Sequence, residues 1–251
     1  MKNSNGHVAK RYAPFMLAAL AVGFIPVGTG MIGSTSVVAD TTLPTSPARV
    51  GLGAADLFVS SFTILGGPAV TCTRSTTSGD VGVASTTAFT NTGCTISGAI
   101  HAGDALAAQA YTDYVTAYND IAALTCTGAP LTGTLAGQTL APGVYCVSAE
   151  AKTGVLTLNG PATATWTFKV TDGAHTGAFT GTNFSVVLAG GAVACNVIWW
   201  SEAAATLTDS DLKGNILSGA GLTLSRGSFV GRAFAKAAVT MTDVASLSGC
   251  S

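Results

Sequence analysis

Carboxylates and histidines are the side chains of this sequence that could perform acid–base chemistry, and they are few. Glu150 and Glu202 are its only glutamates, whereas glycoside hydrolysis requires two carboxylates on either side of one bond. His101 and His175 have no nucleophile or acid arranged near them in the sequence. The GxSxG, HExxH and P-loop motifs of common enzyme classes are also missing from the sequence. We therefore expect no catalytic residues, no cofactor and no enzymatic activity.

The cysteines favour disulfide bonds over a metal site. None of the six has CxxC spacing, which is the usual arrangement of zinc-binding cysteines. Asp209-Ser-Asp211 carries two carboxylates but lacks the remaining positions of a calcium loop. Six cysteines allow 15 pairings, and an even number is typical of disulfides in an exported chain. Among these pairings we favour the sequential one: Cys72–Cys94, Cys126–Cys146 and Cys195–Cys250.

Threonine recurs in a pattern that is typical of a repeat protein. Three consecutive blocks, 202–218, 219–235 and 236–251, align at an offset of 17 residues, and each contains a Thr-apolar-Thr/Ser core. A unit of this length cannot bury a core alone and must stack on its neighbours. It is too short for a helical hairpin and fits one coil of a parallel β-helix with about three short strands.

Alternation along each strand predicts which side chains of these coils face solvent. The apolar residues point inward, and the hydroxyl residues on either side of them point outward. Stacking would place the hydroxyls in rows, about 4.8 Å apart between coils and about 6.6 Å apart along a strand. The predicted surface residues are Thr206, Thr208, Thr223, Ser225, Thr240 and Thr242, with Thr157, Thr163, Thr165 and Thr167 as secondary candidates.

The composition agrees with a neutral hydroxyl-rich surface and excludes several classes of protein. Only 9% of the 251 residues are charged and the net charge is -1, whereas about a quarter of residues are charged in a typical protein. Without a basic excess the chain has no electrostatic footprint for nucleic acid. An apolar fraction of 48% argues against intrinsic disorder.

The N-terminus has the organisation of an export signal. Lys2, Lys10 and Arg11 precede an apolar stretch, and Val37 and Ala39 fit the small-residue positions of a cleavage site. The alternative is a retained membrane anchor, because the stretch approaches the length that spans a bilayer. We expect a signal peptide at 1–39, a linker at 40–50 and a single domain at 51–251. The mature protein is then secreted or attached to the cell surface, monomeric and without membrane contact.

One segment, 104–124, differs from the rest because it lacks Gly and Pro and is rich in Ala. Asp104 occupies the position of an N-cap. The segment predicts an α-helix of about five turns, with one stripe that packs on the remainder of the protein. The stripe consists of Tyr111, Tyr114, Val115, Tyr118, Ile121 and Ala122.

The sequence resembles the microbial ice-binding proteins that are built as an irregular β-solenoid with one long helix. The resemblance extends over nearly all of 51–250 in family order. It is carried by LGAADLF (52–58), SGDVGV (78–83), SGAIHAGDALAAQA (97–110), LTGTLAGQTLAPGVY (131–145), TWTFKV (165–170), VVLAGGAVACNVIWW (186–200), LKGNILSGAGLTL (212–224) and GRAFAKAAVTM (231–241).

The resemblance implies a mainly β fold: a right-handed parallel β-helix of triangular cross-section with the helix packed alongside. It also implies that one flat side contacts ice, so the expected partner is an ice crystal surface and the expected activity is inhibition of ice growth and recrystallisation. The alternative is a non-catalytic adhesion or glycan-binding solenoid, in which Trp166, Trp199 and Trp200 would stack on sugar rings. Alternation in NVIWW predicts that at least one of these tryptophans points inward.

Overall fold

A computed structural model describes residues 61–171 and 176–249 of the chain. The predicted signal peptide and linker, His175 and Cys250 lie outside these residues. The described part contains one α-helix, α1 (Ala105–Ala122), and a short 3-10 turn at Ala194–Asn196. Its strands are β1 (Phe62–Gly66), β2 (Val70–Thr73), β3 (Thr76–Thr77), β4 (Asp80–Val83), β5 (Phe89–Thr92), β6 (Thr95–Ile96), β7 (Ile100–Ala102), β8 (Thr139–Leu140), β9 (Gly143–Val147), β10 (Lys152–Asn159), β11 (Trp166–Val170), β12 (Phe179–Ala189), β13 (Val197–Ser201), β14 (Ala205–Lys213), β15 (Asn215–Ser218), β16 (Leu222–Val230), β17 (Ala233–Ala235), β18 (Val239–Thr242) and β19 (Ser246–Ser248).

The strands form two sheets in which every neighbouring pair is parallel. The eight-stranded sheet has the order β7-β4-β1-β17-β15-β13-β11-β9, and the larger sheet contains the path β5-β2-β18-β16-β14-β12-β10-β8. In the coils from β1 to β6 and from β13 to β19, the chain visits the smaller sheet once and the larger sheet along two successive segments. These parallel stacks and the single helix confirm the predicted β-solenoid.

The order of the coils in space differs from their order in the chain. The first described strand, β1, lies in the interior of its sheet, between β4 and β17. The chain extends from β1 to the end formed by β7, crosses to the other end with α1, and returns coil by coil from β9 to β17. The C-terminal coil therefore pairs with the N-terminal coil.

Large apolar side chains fill the interior of the solenoid. Trp166, Phe168 and Trp199 are fully buried. The ring of Trp199 stacks between Phe168, at a centroid distance of 4.1 Å, and Phe179, at 5.0 Å. Stacking occurs because parallel coils place inward residues of successive strands directly above one another, as the register of Phe168 with Trp199 shows.

The helix α1 packs against the outer side of the eight-stranded sheet through its tyrosines. The Oη atoms of Tyr118, Tyr114 and Tyr111 donate hydrogen bonds to the carbonyl oxygens of Ser201 (2.9 Å), Ser218 (2.6 Å) and Lys236 (2.9 Å). These acceptors lie at the ends of three successive strands, β13, β15 and β17. From Tyr111 to Tyr118 the helix rises about 10.5 Å over seven residues. The strands at whose ends their acceptors lie, β17 and β13, are two coils or about 9.6 Å apart. The helical spacing of the tyrosines therefore matches the coil spacing.

Both ends of α1 are stabilised by side chains. Asp104 accepts a hydrogen bond from the backbone N–H of Ala107 at 2.8 Å, which confirms it as the N-cap. At the other end Lys169 Nζ donates to the carbonyl oxygens of Ala122 and Leu124, at 2.8 and 2.6 Å. Ala122 itself is exposed. The prediction that Ala122 belongs to the packing stripe is therefore wrong. Ala107, Ala110 and Ala117 are the buried alanines of the helix, and their small side chains allow close contact with the sheet.

Two of the predicted disulfides are present, Cys72–Cys94 and Cys126–Cys146. Cys195 is a free cysteine among the described residues. Because Cys250 lies outside them, the third pair stays a prediction. No helix in the described ranges is long and apolar enough to cross a membrane.

Candidate functional site

The first segments of six neighbouring strands in the larger sheet form one continuous hydroxyl surface, which we call the Thr surface. The strands lie in the spatial order β12, β14, β16, β18, β2 and β5. Each contributes two outward residues separated by one residue, which is buried in every strand except β5. The first row contains Thr180, Thr206, Thr223, Thr240, Thr71 and Thr90, and the second row contains Thr182, Thr208, Ser225, Thr242, Thr73 and Thr92.

The structure places all six predicted surface residues together at the centre of these rows. Thr206, Thr223 and Thr240 are direct neighbours in the first row, and Thr208, Ser225 and Thr242 are direct neighbours in the second row. With about 4.8 Å between coils, six coils make each row about 24 Å long. Beyond β12 the register shifts between Lys152 and Gly154 of β10, and the two regular rows end there.

Sequence reasoning missed the other six residues of the Thr surface. They occur in the segments TCT (71–73), TNT (90–92) and TGT (180–182), which share the Thr-x-Thr pattern but not the 17-residue offset. The inward residue varies because its surroundings differ. At Gly181 a Cβ atom would come 2.5 Å from Leu207 Cδ2, so this coil has Gly where the adjacent strand β14 has Leu. A following Gly93 or Asn183, which tolerates a left-handed turn, is the signal that would have found TNT and TGT, whereas TCT is followed by Arg74 and lacks that signal.

The side chains of the Thr surface are accessible and have no internal hydrogen-bond partners. All twelve residues are exposed or half-buried, and none of their hydroxyl groups bonds to another part of the chain that the structure describes. Threonines elsewhere contrast with them: Thr112 and Thr116 donate to helical carbonyls, and Thr127 donates to the carbonyl of Val144. The hydroxyl groups of the Thr surface are therefore available to water.

The inward residues beneath the Thr surface hold it in place. Leu207, Leu224 and Met241 are completely buried in the core. Cys72 lies between Thr71 and Thr73 and is linked by its disulfide to the adjacent coil. The hydroxyl rows thus stand on packed core residues and a cross-link.

A line of residues in the left-handed backbone conformation borders the second row. In spatial order they are Asn183, Asp209, Arg226, Asp243, Arg74 and Gly93, with φ values of 49°, 50°, 57°, 53°, 44° and 76°. Each directly follows the second-row residue of its strand, and at each of them the chain turns from the first segment of the sheet to the second.

The four charged residues of this border alternate in sign and pair with one another. Arg226 donates to Asp209 through Nε at 2.5 Å and Nη2 at 2.6 Å. Arg74 donates to Asp243 through Nε at 2.7 Å and Nη2 at 2.8 Å. The hydrogen bonds from Arg226 and Arg74 hold the pKa values of Asp209 and Asp243 below the ordinary value. Both carboxylates are therefore charged at neutral pH.

The secondary threonine candidates do not belong to the Thr surface. Thr157 lies in β10, on the second segment of the larger sheet, in register with Thr139 and Val187. Thr163 and Thr165 lie outside the strands, and Thr167 is buried in β11.

The tryptophans do not form an exposed glycan-binding platform. Trp166 and Trp199 are fully buried in the core, and Trp200 is only 4% exposed. Trp200 packs against Tyr118 of the helix, and its Nε1 donates to the Tyr118 carbonyl oxygen at 3.0 Å. The aromatic anchors on which the glycan-binding alternative depends are therefore committed to packing.

The acidic residues stabilise turns and coil contacts. Asp80 accepts a hydrogen bond from the backbone N–H of Ala99 in the next coil, at 2.8 Å. Glu202 accepts from Thr171 Oγ1 at 2.7 Å, and Asp211 accepts from the N–H of Ser228 at 3.2 Å. Within 61–171 and 176–249, no cluster of three or more His, Cys, Asp or Glu side chains could hold a metal ion.

Comparison with known proteins connects this geometry to one family. Residues 64–246 match the model of the ice-binding-like family. An ice-binding protein of Nostoc sp. (strain HG1) is 38% identical over 192 residues, which cover 72% of this chain and 69% of the relative. An ice-binding protein of Flavobacterium frigoris (strain PS1) is 34% identical over 112 residues, which cover 43% of this chain and 39% of the relative.

Solved structures show the same relationship. The crystal structure of an ice-binding protein from the Antarctic ascomycete Antarctomyces psychrotrophicus superposes with a TM-score of 0.69 at 34% identity, covering 79% of this chain and 97% of the other. An ice-binding protein from an Antarctic biological consortium gives a TM-score of 0.68 at 29% identity, covering 82% and 93%. With its fold, its sequence and the extent of the match in agreement, the chain belongs to the ice-binding-like family.

Proposed function

We propose that this protein binds ice through the Thr surface and thereby slows the growth and recrystallisation of ice. The observation that carries the proposal is the arrangement of twelve hydroxyl side chains in two rows across six coils of a member of the ice-binding-like family. None of these hydroxyl groups bonds to another residue within 61–171 or 176–249.

The mechanism is physical rather than chemical. Each threonine presents one methyl group and one hydroxyl group, and the coil spacing repeats them about every 4.8 Å across the surface and about every 6.6 Å along a strand. Such a surface orders water in a pattern that merges with the crystal. Because the side chains stand on a packed core, little conformational freedom is lost on binding, and this lowers the entropic cost of adsorption.

Adsorbed protein molecules act as anchor points on the ice front. Ice then grows only between them, with a curved front, and the curvature opposes further addition of water. The same adsorption prevents large crystals from growing at the expense of small ones. Thermal hysteresis and ice recrystallisation inhibition are the corresponding measurements.

We also propose that the protein acts outside the cell that makes it. The basic and apolar pattern of residues 1–39 supports export. The disulfides Cys72–Cys94 and Cys126–Cys146 support it independently, because disulfides persist mainly in oxidising compartments. Mass spectrometry of the protein recovered from culture medium should find an N-terminus at Asp40. Retention of residues 1–39 on the membrane would contradict the export proposal.

A pair of substitutions in one strand tests the Thr surface. Thr223→Tyr places a bulky ring at the centre of the first row, where it prevents close approach of ice. Ser228→Tyr is the matched control, because Ser228 is a half-buried residue of the same strand β16, beyond Arg226 on the second segment. We expect Thr223→Tyr to lose most of its thermal hysteresis and recrystallisation inhibition, and Ser228→Tyr to retain both.

Thermal unfolding followed by circular dichroism should give the same Tm for both variants and the unmodified protein, because both new rings project into solvent. Equal activity of Thr223→Tyr and the unmodified protein would reject the Thr surface as the ice contact. Complete inactivity of the unmodified protein would reject ice binding itself.

A further inference from the structure

The charged border of the Thr surface contains two arginines at positions where backbone energetics does not favour them. Arg74, Asp209, Arg226 and Asp243 all have φ between 44° and 57°. A residue with a Cβ atom is strained in this left-handed region, which Gly, Asn and Asp tolerate better than other residues. Gly93 and Asn183 occupy the same positions in the outermost coils of the Thr surface. Arginine at two of the inner positions is therefore not explained by the turn.

Fold stability does not explain these residues either. The paired side chains are highly exposed, at 64% for Arg74, 40% for Asp243, 57% for Arg226 and 38% for Asp209. Exposed ion pairs contribute little to stability, because water screens them and two long side chains must be held in place. Their bidentate geometry nevertheless fixes each guanidinium against a carboxylate.

The position of these charges relates them to the hydroxyl rows. Each is one residue beyond the second row, next to Thr208, Ser225, Thr242 or Thr73. A single charge at this distance would orient the neighbouring water strongly around itself. A guanidinium paired with a carboxylate satisfies part of its hydration with its partner, and the alternation of sign from coil to coil cancels the field further along the border.

We infer that the alternating Asp209–Arg226–Asp243–Arg74 border is a positioning element of ice recognition, which keeps water over the second row free from the field of an unpaired charge. This inference rests on the proposed function of the Thr surface. The residues act on water through the mutual pairing of their charges and make no contact with ice themselves. What matters is therefore that the charges are paired, rather than that charges are present.

Two variants distinguish the effect of charge pairing on ice activity from the effect of charge itself. Asp243→Asn leaves Arg74 and Arg226 without the carboxylate between them, and Asn tolerates the left-handed backbone. The fourfold variant Arg74→Asn, Asp209→Asn, Arg226→Asn and Asp243→Asn removes every charge from the border. Asp113→Asn, on the outer surface of α1, is the control with the same change in net charge as Asp243→Asn.

We expect Asp243→Asn to lose more than half of the thermal hysteresis, while the fourfold variant and Asp113→Asn retain the activity of the unmodified protein. Thermal unfolding should show that all three variants are folded at the assay temperature. A purely structural bridge from Asp243 to Arg74 predicts that the fourfold variant loses activity as well, because it also lacks that bridge.

The inference is overturned if Asp243→Asn keeps full activity, or if the fourfold variant loses as much activity as Asp243→Asn. Both outcomes differ from a failure of the proposed function, which the Thr223→Tyr variant and the unmodified protein report separately.

Discussion

Two outer sides of the same solenoid coils differ in the size of their side chains. On the outer side of the eight-stranded sheet, which we call the helix-covered side, the residues are Phe62, Leu65, Ile198, Trp200, Leu217 and Phe234, and all are buried by α1. On the Thr surface, the outward residues are eleven threonines and one serine, and nothing in the described chain covers them. Both sets occupy outward positions of parallel strands, so the strand geometry does not cause the difference.

The difference shows what each side is built to contact. Large apolar side chains are stabilised by removal from water, at roughly 25 cal/mol per Å² of apolar surface, and so require a covering element. Threonine remains stable in a strand with one face in water and carries both a methyl and a hydroxyl group. The helix-covered side therefore contributes to folding, whereas the Thr surface leaves its contact groups free for a partner outside the chain.

The largest expected effect is a loss of stability when a tyrosine of α1 that packs on the helix-covered side is truncated. Tyr114 is 1% exposed, burial raises the pKa of its hydroxyl, and its Oη donates to Ser218. Tyr114→Ala should lower the free energy of unfolding by about 3–5 kcal/mol, as for other large aromatic truncations. Urea titration measures this loss. Thermal hysteresis of the folded fraction should remain, because the Thr surface lies on the other sheet. A loss below about 1 kcal/mol, the size of a single cap or exposed contact, would contradict the packing role.

The two disulfides allow a closely matched test in which the expected effect is smaller. Cys72–Cys94 and Cys126–Cys146 close loops of similar length, with separations of 22 and 20 residues, so removal of either should cost about 3 kcal/mol in the chain-entropy model. Only Cys72 lies within the Thr surface. We expect the Cys72→Ala/Cys94→Ala variant to lose more thermal hysteresis than the Cys126→Ala/Cys146→Ala variant at equal folded concentration. Equal activities would show that this cross-link does not support the Thr surface.

The smallest expected effect is that of pH in the range from about 5 to 8. The pKa values of Asp209 and Asp243 are held below the ordinary value by Arg226 and Arg74. A carboxylate with a lowered folded-state pKa contributes fully above its unfolded value of about 3.9 and loses that contribution as the pH falls through the folded value. Thermal hysteresis should therefore be constant between about pH 5 and 8 and should decline only below about pH 3.9. A transition near neutral pH would indicate that another titrating group controls the surface.

Much of the local structure could be predicted from the sequence. The helix, its N-cap Asp104 and most of its packing stripe follow from 3.6-residue periodicity and cap chemistry, which act within a few residues. Alternation and the 17-residue offset predicted that the six hydroxyl residues of three consecutive coils, from Thr206 to Thr242, point outward. Membership of the ice-binding-like family also confirms the expectation of a non-enzymatic protein.

The extent of the surface could not be predicted in this way. Thr71 and Thr73 lie beside Thr240 and Thr242, although about 169 residues separate them in the chain. Pairing between the first and last coils depends on which strands are adjacent after the chain has reversed through α1, and no local pattern records it. The same contact creates the Arg74–Asp243 pair and thus completes the charged border.

The sequence by itself determined the strand periodicity, the helix, the disulfide-forming cysteines 72, 94, 126 and 146, and the repeated Thr-x-Thr unit. Tertiary structure alone decided that six such units from two separate parts of the chain form one surface. It also decided that four charged turn residues form an alternating line along the border of that surface. The physical reason is that side-chain direction and turn preference are set by neighbouring residues, whereas strand order is set by the burial of a core shared by the whole chain.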